Sequence, residues 1–421
     1  MLIYNHNIIK GGQQMKLSKV KIIEAMERNN IKTQTELAKK LGITKNQLSV
    51  ILSNGYNPVK ATVSELCNVL GVDIIDITDK KYKVVEVIEE PNTVTAIELF
   101  AGGGGCSLGL ELAGIKAVKY VEIDETCCET LKRNRPHWNV VNADVGTVDF
   151  TEYKGKVDVV TGGSPCQAFS YAGKKLGFED TRGTLFYQYA RCVKEVQPKL
   201  FMFENVRGLI SHDEGRTLET ILNVFKDLGY DVQSRVLSAN DYGVAQKRER
   251  LIIIGTKDGV EFEYPTPLEY KPVLRDALKG VPPSEGQQYS ENKRKVLDLV
   301  PPGGCWINLP LEIQQSYMGA SFLSGGGKRG MARRISWDEA CLTLTCSPAQ
   351  KQTERCHPDE TRPFTTREYA RIQSFPDTWT FAGSTGQIYK QIGNAIAVEF
   401  ARHLGIQIKK SIETYKSKKT L

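Results

Sequence analysis

Residues 94–114 read VTAIELFAGGGGCSLGLELAG, and the fold turns on how this stretch divides. An apolar, strand-like run enters four glycines at 102–105, and the residues beyond them take helical spacing. Strand, glycine loop and helix in succession let the backbone approach a ligand closely and present N–H groups at a helix N-terminus. The alternation continues outward. AVKYVEID (117–124) reads as a strand followed by a helix from Glu125, VDVVTGG (157–163) as another strand, and KLFMFENV (199–206) and RLIIIG (250–255) as later ones. Strands alternating with helices predict a doubly wound α/β domain built on a parallel sheet, here over residues 94–256.

The glycine loop narrows the ligand. A dinucleotide loop needs G-x-G-x-x-G, but counting from Gly102 or Gly103 the sixth residue is Ser107 or Leu108. A nucleoside-triphosphate loop needs a closing Gly-Lys-Ser/Thr, which is missing. S-adenosyl-L-methionine has no phosphates and tolerates a looser pattern. Glu122, at the end of the next strand about 20 residues on, suits the ribose hydroxyls, and Asp144 in NADV (142–145) suits the adenine amine. A purely structural glycine turn is the competing reading.

GGSPCQAFS (162–170) follows the next strand, so Cys166 falls at the same carboxyl edge of the sheet as the cofactor loop. A buried structural cysteine is the bland alternative. Glu204 ends the run FMFENV at that edge too, where an unpaired carboxylate is costly to bury and is expected to serve a ligand. QKRERLIIIG (246–255) adds Gln246, Arg248 and Arg250 just before a strand.

The chain has 421 residues, a formal net charge of +7 and ten cysteines without a regular framework. That length allows two or three domains, the charge suits a polyanionic partner, and the cysteines are expected to be reduced thiols of a cytoplasmic protein. Neither a membrane-spanning apolar run nor a signal peptide is visible. Residues 1–14 show no periodicity and read as a disordered leader. The segment KGGQQM suggests a ribosome-binding sequence ahead of a natural start at Met15.

Residues 15–80 read as a helical module. In LSKVKIIEAMERNN (17–30), Leu17, Val20, Ile23 and Met26 are expected to form one apolar face. TQTELAKKLGITKNQLSVILSNG (33–55) has the helix-turn-helix pattern, with a turn at Gly42, an N-cap at Thr44, Ala38 at the crossing and Leu48 and Ile51 facing inward. Thr44, Lys45, Asn46 and Gln47 at the start of the second helix are the candidates for base edges, and a protein-interaction scaffold is the alternative. Residues 81–93 read as a charged linker. Residues 257–384 read as a small inserted domain, rich in Pro and Gly up to 362 and carrying the basic knot GGGKRGMARR (325–334).

The order ELFAGGGGCSLGL, SPCQAFS, ENV, QKRERLIIIG, REYARIQSFPDTW and QIGNAIAVEF resembles the DNA cytosine-5 methyltransferases, over residues 94 to about 408. The resemblance implies a catalytic domain over 94–256, a target-recognition domain over 257–384, a return to the catalytic domain over 385–410 and a basic tail over 411–421. It implies Cys166 as a nucleophile toward C6 of a flipped-out cytosine, with Glu204, Arg248 and Arg250 as its catalytic partners. For S-adenosyl-L-methionine it implies Phe100, Gly102, Gly104, Glu122, Ile123, Asp144, Val145, Pro165 and Asn394. The partner is double-stranded DNA, and for the N-terminal module its own operator; no membrane or obligate protein partner is expected. Gln167, Ser170, Lys174, Lys175 and Arg182 belong to the loop expected to close over DNA, and Lys328, Arg329, Arg333 and Arg334 to the recognition domain. Cys341, Cys346, Cys356 and His357 match no common zinc spacing, so no metal is expected. RNA cytosine methylation and a DNA-binding regulator without catalysis are the rival readings; an inserted domain and a helix-turn-helix favour duplex DNA.

Overall fold

A computed structural model describes residues 17–29, 31–53, 93–164, 185–323 and 330–420, and six positions between 66 and 77. The chain divides into two compact units at residues 91 and 92.

In the first unit, helices span Lys19–Arg28, Gln34–Lys40 and Lys45–Ile51. Ile22, Ala25, Met26, Leu37, Ala38 and Leu48 form the core with Leu66, Leu70 and Ile77. The turn closes by a bond from Ile43 N–H to the Ala38 carbonyl, with Gly42 at φ 66°. One expectation fails. Met26 is buried as expected and Leu17 packs against the core, but Val20 and Ile23 are 66% and 39% exposed, with Ile22 and Ala25 buried in their place. Steps of three lag the 3.6-residue turn and walk off the face, whereas i, i+3, i+4 stays on it.

The second unit is built on a seven-stranded sheet in the order β3-β2-β1-β4-β5-β8-β6. The strands are β1 (Val94–Leu99), β2 (Ile115–Glu122), β3 (Val140–Asn142), β4 (Val159–Gly162), β5 (Leu200–Val206), β6 (Asp231–Ser238) and β8 (Glu249–Thr256). β1 to β5 pair in parallel, and β8 runs antiparallel between β5 and β6. The parallel half matches the expected pattern. β6 was not anticipated, because its residues are largely exposed on an edge and carry little apolar signal.

Alternation along the strands splits the core in two. On one face Val94, Ala96, Met202, Ile252 and Ile254 pack under Leu110 of the helix Gly105–Leu112 and under Phe400, Leu404 and Ile408 of the helix Val398–Thr420. On the other, Ile97, Leu99, Val160, Phe201 and Phe203 pack under Phe186, Tyr189, Val193, Ile221 and Phe225. The 411–421 stretch read as a basic tail continues that last helix to Thr420, with Ile412 and Tyr415 buried on the sheet.

The inserted region also differs from its expected bounds. Tyr369, Phe375 and Trp379 pack with Leu108, Tyr120, Leu131 and Trp138, so the end of the 257–384 segment shares the core of the sheet and its helices. Its own small core is Tyr289, Leu297, Val300, Leu309, Ala332 and Cys356. Two short strands, β7 (Gln246–Lys247) and β9 (Cys341–Leu342), pair in parallel and tie the insert to the sheet's arginine-bearing edge.

Candidate active site

The carboxyl ends of β1, β2, β4 and β5 lie side by side, and each delivers a polar group to the same edge. β1 runs into Phe100, which adopts φ 56°. A left-handed non-glycine residue costs about 1–3 kcal/mol and is retained where surrounding structure imposes it. The loop then turns through Gly104, also left-handed, into the helix Gly105–Leu112. A side chain at Gly105 would collide with the Ile396 carbonyl, its Cβ only 2.1 Å away. That glycine therefore serves the packing of the C-terminal segment against the helix. Trp379, buried beneath the loop, donates its indole N–H to the Gly103 carbonyl at 3.2 Å.

Glu122 ends β2 and holds the loop. One carboxylate oxygen accepts from Gly102 N–H at 2.7 Å, the other from Asp124 N–H at 2.8 Å. Next to it Ile123 is 67% exposed, an apolar surface at a ligand-facing edge. Asp144 lies exposed after β3 and accepts from Gly146 N–H at 2.8 Å, while Val145 is buried and its carbonyl accepts from Arg191. Asn394, exposed at the end of the helix Thr385–Asn394, accepts from the Cys346 thiol at 2.9 Å. Lys390 of that helix pairs with Asp124 at 3.0 Å, and Gln387 donates to Thr126. Burial acts to raise the Asp124 pKa, but the Lys390 hydrogen bond and the capping N–H groups of Cys127 and Thr126 hold it below the usual range.

Glu204, two residues before the end of β5, lies just beyond the end of β4. Its Oε1 meets Arg250 Nε at 2.7 Å, with both side chains mostly buried, and a Cβ at Gly163 would sit 2.6 Å from Oε2. Asn205 donates to the Ser164 carbonyl at 3.1 Å, fixing the chain just before the cysteine loop. Cys166, Pro165, Gln167, Ser170, Lys174, Lys175 and Arg182 lie outside the described residues, as do Lys328 and Arg329.

Three arginines depart from the expectations. Arg248 is 2% exposed and donates to the carbonyls of Leu344 and Gly393, with burial pushing its pKa down. It clamps Leu344 of the insert and the helix Thr385–Asn394 to the sheet. Arg334 is 4% exposed and spends Nε, Nη1 and Nη2 on Val300, His357, Pro358, Leu297 and Thr361. Arg333 is engaged by Glu339 and by the carbonyls of Gly304 and Arg334. Backbone carbonyls, Glu339 and Thr361 take up both guanidinium groups within the fold. In the first unit, Thr44 and Gln47 form a reciprocal cap, and Lys45 and Asn46 are exposed beside it.

Sequence reasoning missed Trp379, Lys390 and Glu98, a buried acid on β1. Trp379 lies inside a quoted motif, but only the tertiary fold brings it under a loop 276 positions away.

The arrangement fits S-adenosyl-L-methionine: a carboxylate already held at a strand end, an exposed isoleucine beside it, and a phosphate-free glycine loop. Among the described residues no helix is long and apolar enough to cross a membrane. Residues 22–77 match a helix-turn-helix family. The chain is 52% identical over 93% of its length to the Staphylococcus aureus type II methyltransferase M.Sau96I, covering 97% of that protein. It is 59% identical to Escherichia coli M.Eco47II, covering 75% of this chain and 78% of the relative. A crystal structure of a prophage-encoded E. coli protein, described as a DNA modification methyltransferase, superposes with TM-score 0.55 at 26% identity, over 77% of this chain and 99% of that one. With residues 94–410 matching the family description and the sheet edge built as above, the chain belongs to the C-5 cytosine-specific DNA methylases, a family dependent on S-adenosyl-L-methionine.

Proposed function

We propose that the protein is a type II modification enzyme that methylates C5 of a cytosine flipped out of duplex DNA, guarding its sites against a partner nuclease. The observation that carries this reading is the Glu204–Arg250 pair on β5 and β8, beside the end of β4 at Gly162, which shortly precedes Cys166 in the sequence.

Cytosine C5 is a weak nucleophile, and a thiolate adding to C6 converts the ring into an enamine able to attack an electrophile. Cys166 is assigned that addition. The bound cofactor supplies the electrophilic methyl group. Glu204, once protonated, donates to N3 and accepts from the exocyclic amine, which separates cytosine from thymine. Without substrate it faces Arg250, so entry of the base exchanges that partner, and the freed guanidinium fork turns to O2, where charge develops. Loss of the C5 proton and elimination of the thiol complete the cycle. Glu122 is assigned the ribose hydroxyls, Ile123 the adenine face and Asp144 its amine.

Labelled methyl transfer to duplex DNA, compared with transfer RNA, tests the substrate. Trapping on DNA carrying 5-fluorocytosine tests the covalent step: wild type is expected to form a stable complex, and Cys166→Ala none. We assign the helix-turn-helix unit to operator DNA near its own gene, read by Lys45 and Asn46. Footprints of the full chain on that upstream region are expected to vanish in Lys45→Ala/Asn46→Ala while methylation elsewhere persists.

A further inference from the structure

A cluster of buried polar groups lies beneath the glycine loop. Glu98 of β1 is 2% exposed and shares a sheet face with its register partners Tyr120 on β2 and Thr161 on β4. Cys106 and Ser107, in the first turn of the helix Gly105–Leu112, face the carboxyl from the other side. Oε2 of Glu98, Oγ of Ser107, Oγ1 of Thr161 and Oγ of nearby Ser164 lack a hydrogen-bond partner of regular geometry among the described residues, and none of these residues is more than 4% exposed. Buried polar atoms left unpaired in a native fold call for an explanation.

The electrostatics of the cluster keep it uncharged. Burial pushes Glu98 up to about 8, against the pull of Ser107 and Cys106 and with a further push from Glu122 on β2. Burial, then the charges of Glu98 and Glu204, hold the Cys106 thiol well above its ordinary range, and burial does the same for the Tyr120 phenol. Both oxygens of Glu122 are already engaged by backbone N–H groups. The cofactor is a cation, with a sulfonium and an ammonium group, and its loop begins two residues after Glu98.

We propose that Glu98 is the proton-linked charge partner of the cofactor: a neutral acid in the cofactor-free protein that becomes a carboxylate when S-adenosylmethionine binds, its proton passing to solvent. The inference rests on the cofactor assignment above. A positive charge arriving near a buried carboxyl lowers its pKa by about 1–3, so binding strengthens as pH rises toward 8.

Calorimetric titration of S-adenosylmethionine into the full chain at pH 7.5, in buffers of differing ionisation enthalpy, counts the protons. Wild type is expected to release about 0.5–0.7 more protons per cofactor than Glu98→Gln. The ligand's own amine titrates in both proteins and cancels. Wild type alone gives a second reading in which the shared amine also cancels: affinity for S-adenosylmethionine relative to S-adenosylhomocysteine, which lacks the sulfonium charge, should rise several-fold and by up to about 70-fold between pH 6 and pH 8.5. Equal proton counts, or a pH-independent affinity ratio, overturn the inference while leaving the cofactor assignment intact. Failure of S-adenosylmethionine to bind at any pH defeats the cofactor assignment itself.

Discussion

The sheet edge and the inserted region are both rich in arginine, and they use it in opposite ways. At the edge, Arg250 points its guanidinium at Glu204 beside the end of β4. In the insert, Arg333 and Arg334 turn inward and are taken by carbonyls, Glu339 and Thr361. Arg248 shows that two residues suffice to change from one role to the other. A basic residue is available to a ligand only where the fold has not already supplied its acceptors, and sequence alone does not reveal that supply.

The sharpest way to break this contrast is at Glu204. Glu204→Gln should keep the fold but lower methyl transfer by about 10²–10⁴-fold in single-turnover assays, whereas a loss under threefold would remove Glu204 from the chemistry. Arg334→Ala should do the reverse. Stranding several buried carbonyls is expected to cost about 3–5 kcal/mol, seen as a lower melting temperature and early proteolysis within 290–362. Weaker DNA binding with unchanged stability would return Arg334 to the DNA surface.

The pH dependence of stability probes the cluster beneath the loop. Burial raises the folded pKa of Glu98 from its ordinary 4.5 to about 8. Its contribution is therefore fully present below about 4.5 and fades as pH rises through 8. The cofactor-free protein should lose about 2–4 kcal/mol over that window, and Glu98→Gln should flatten the curve measured by chemical denaturation. The smallest effect is expected at Lys390, whose exposed pair with Asp124 is screened by water. Lys390→Ala should cost no more than about 0.5 kcal/mol of stability and weaken cofactor binding about twofold. A tenfold loss would move Lys390 into the cofactor site itself.

Much of the catalytic edge was legible because its residues end strands, and strand ends are marked by apolar runs stopping at a polar residue. Glu122 and Glu204 could be placed this way, and the glycine run announced the turn. The helix-turn-helix was equally readable through Gly42, Thr44 and the small Ala38. The edge strand β6 was not, since exposure removes the apolar signal, nor was the last helical stretch, whose lysines masked the buried Ile412 and Tyr415.

The sequence by itself determined the doubly wound domain, the order of its motifs and the acids at its strand ends, because local periodicity and turn chemistry act over a few residues. Tertiary structure alone decided which charges are spent. Trp379 reaches Gly103, Arg248 reaches Gly393, and Glu98 is sealed under the loop between β2, β4 and the helix Gly105–Leu112. Whether a polar group is satisfied, orphaned or available depends on neighbours that chain folding brings together, and no local pattern encodes them.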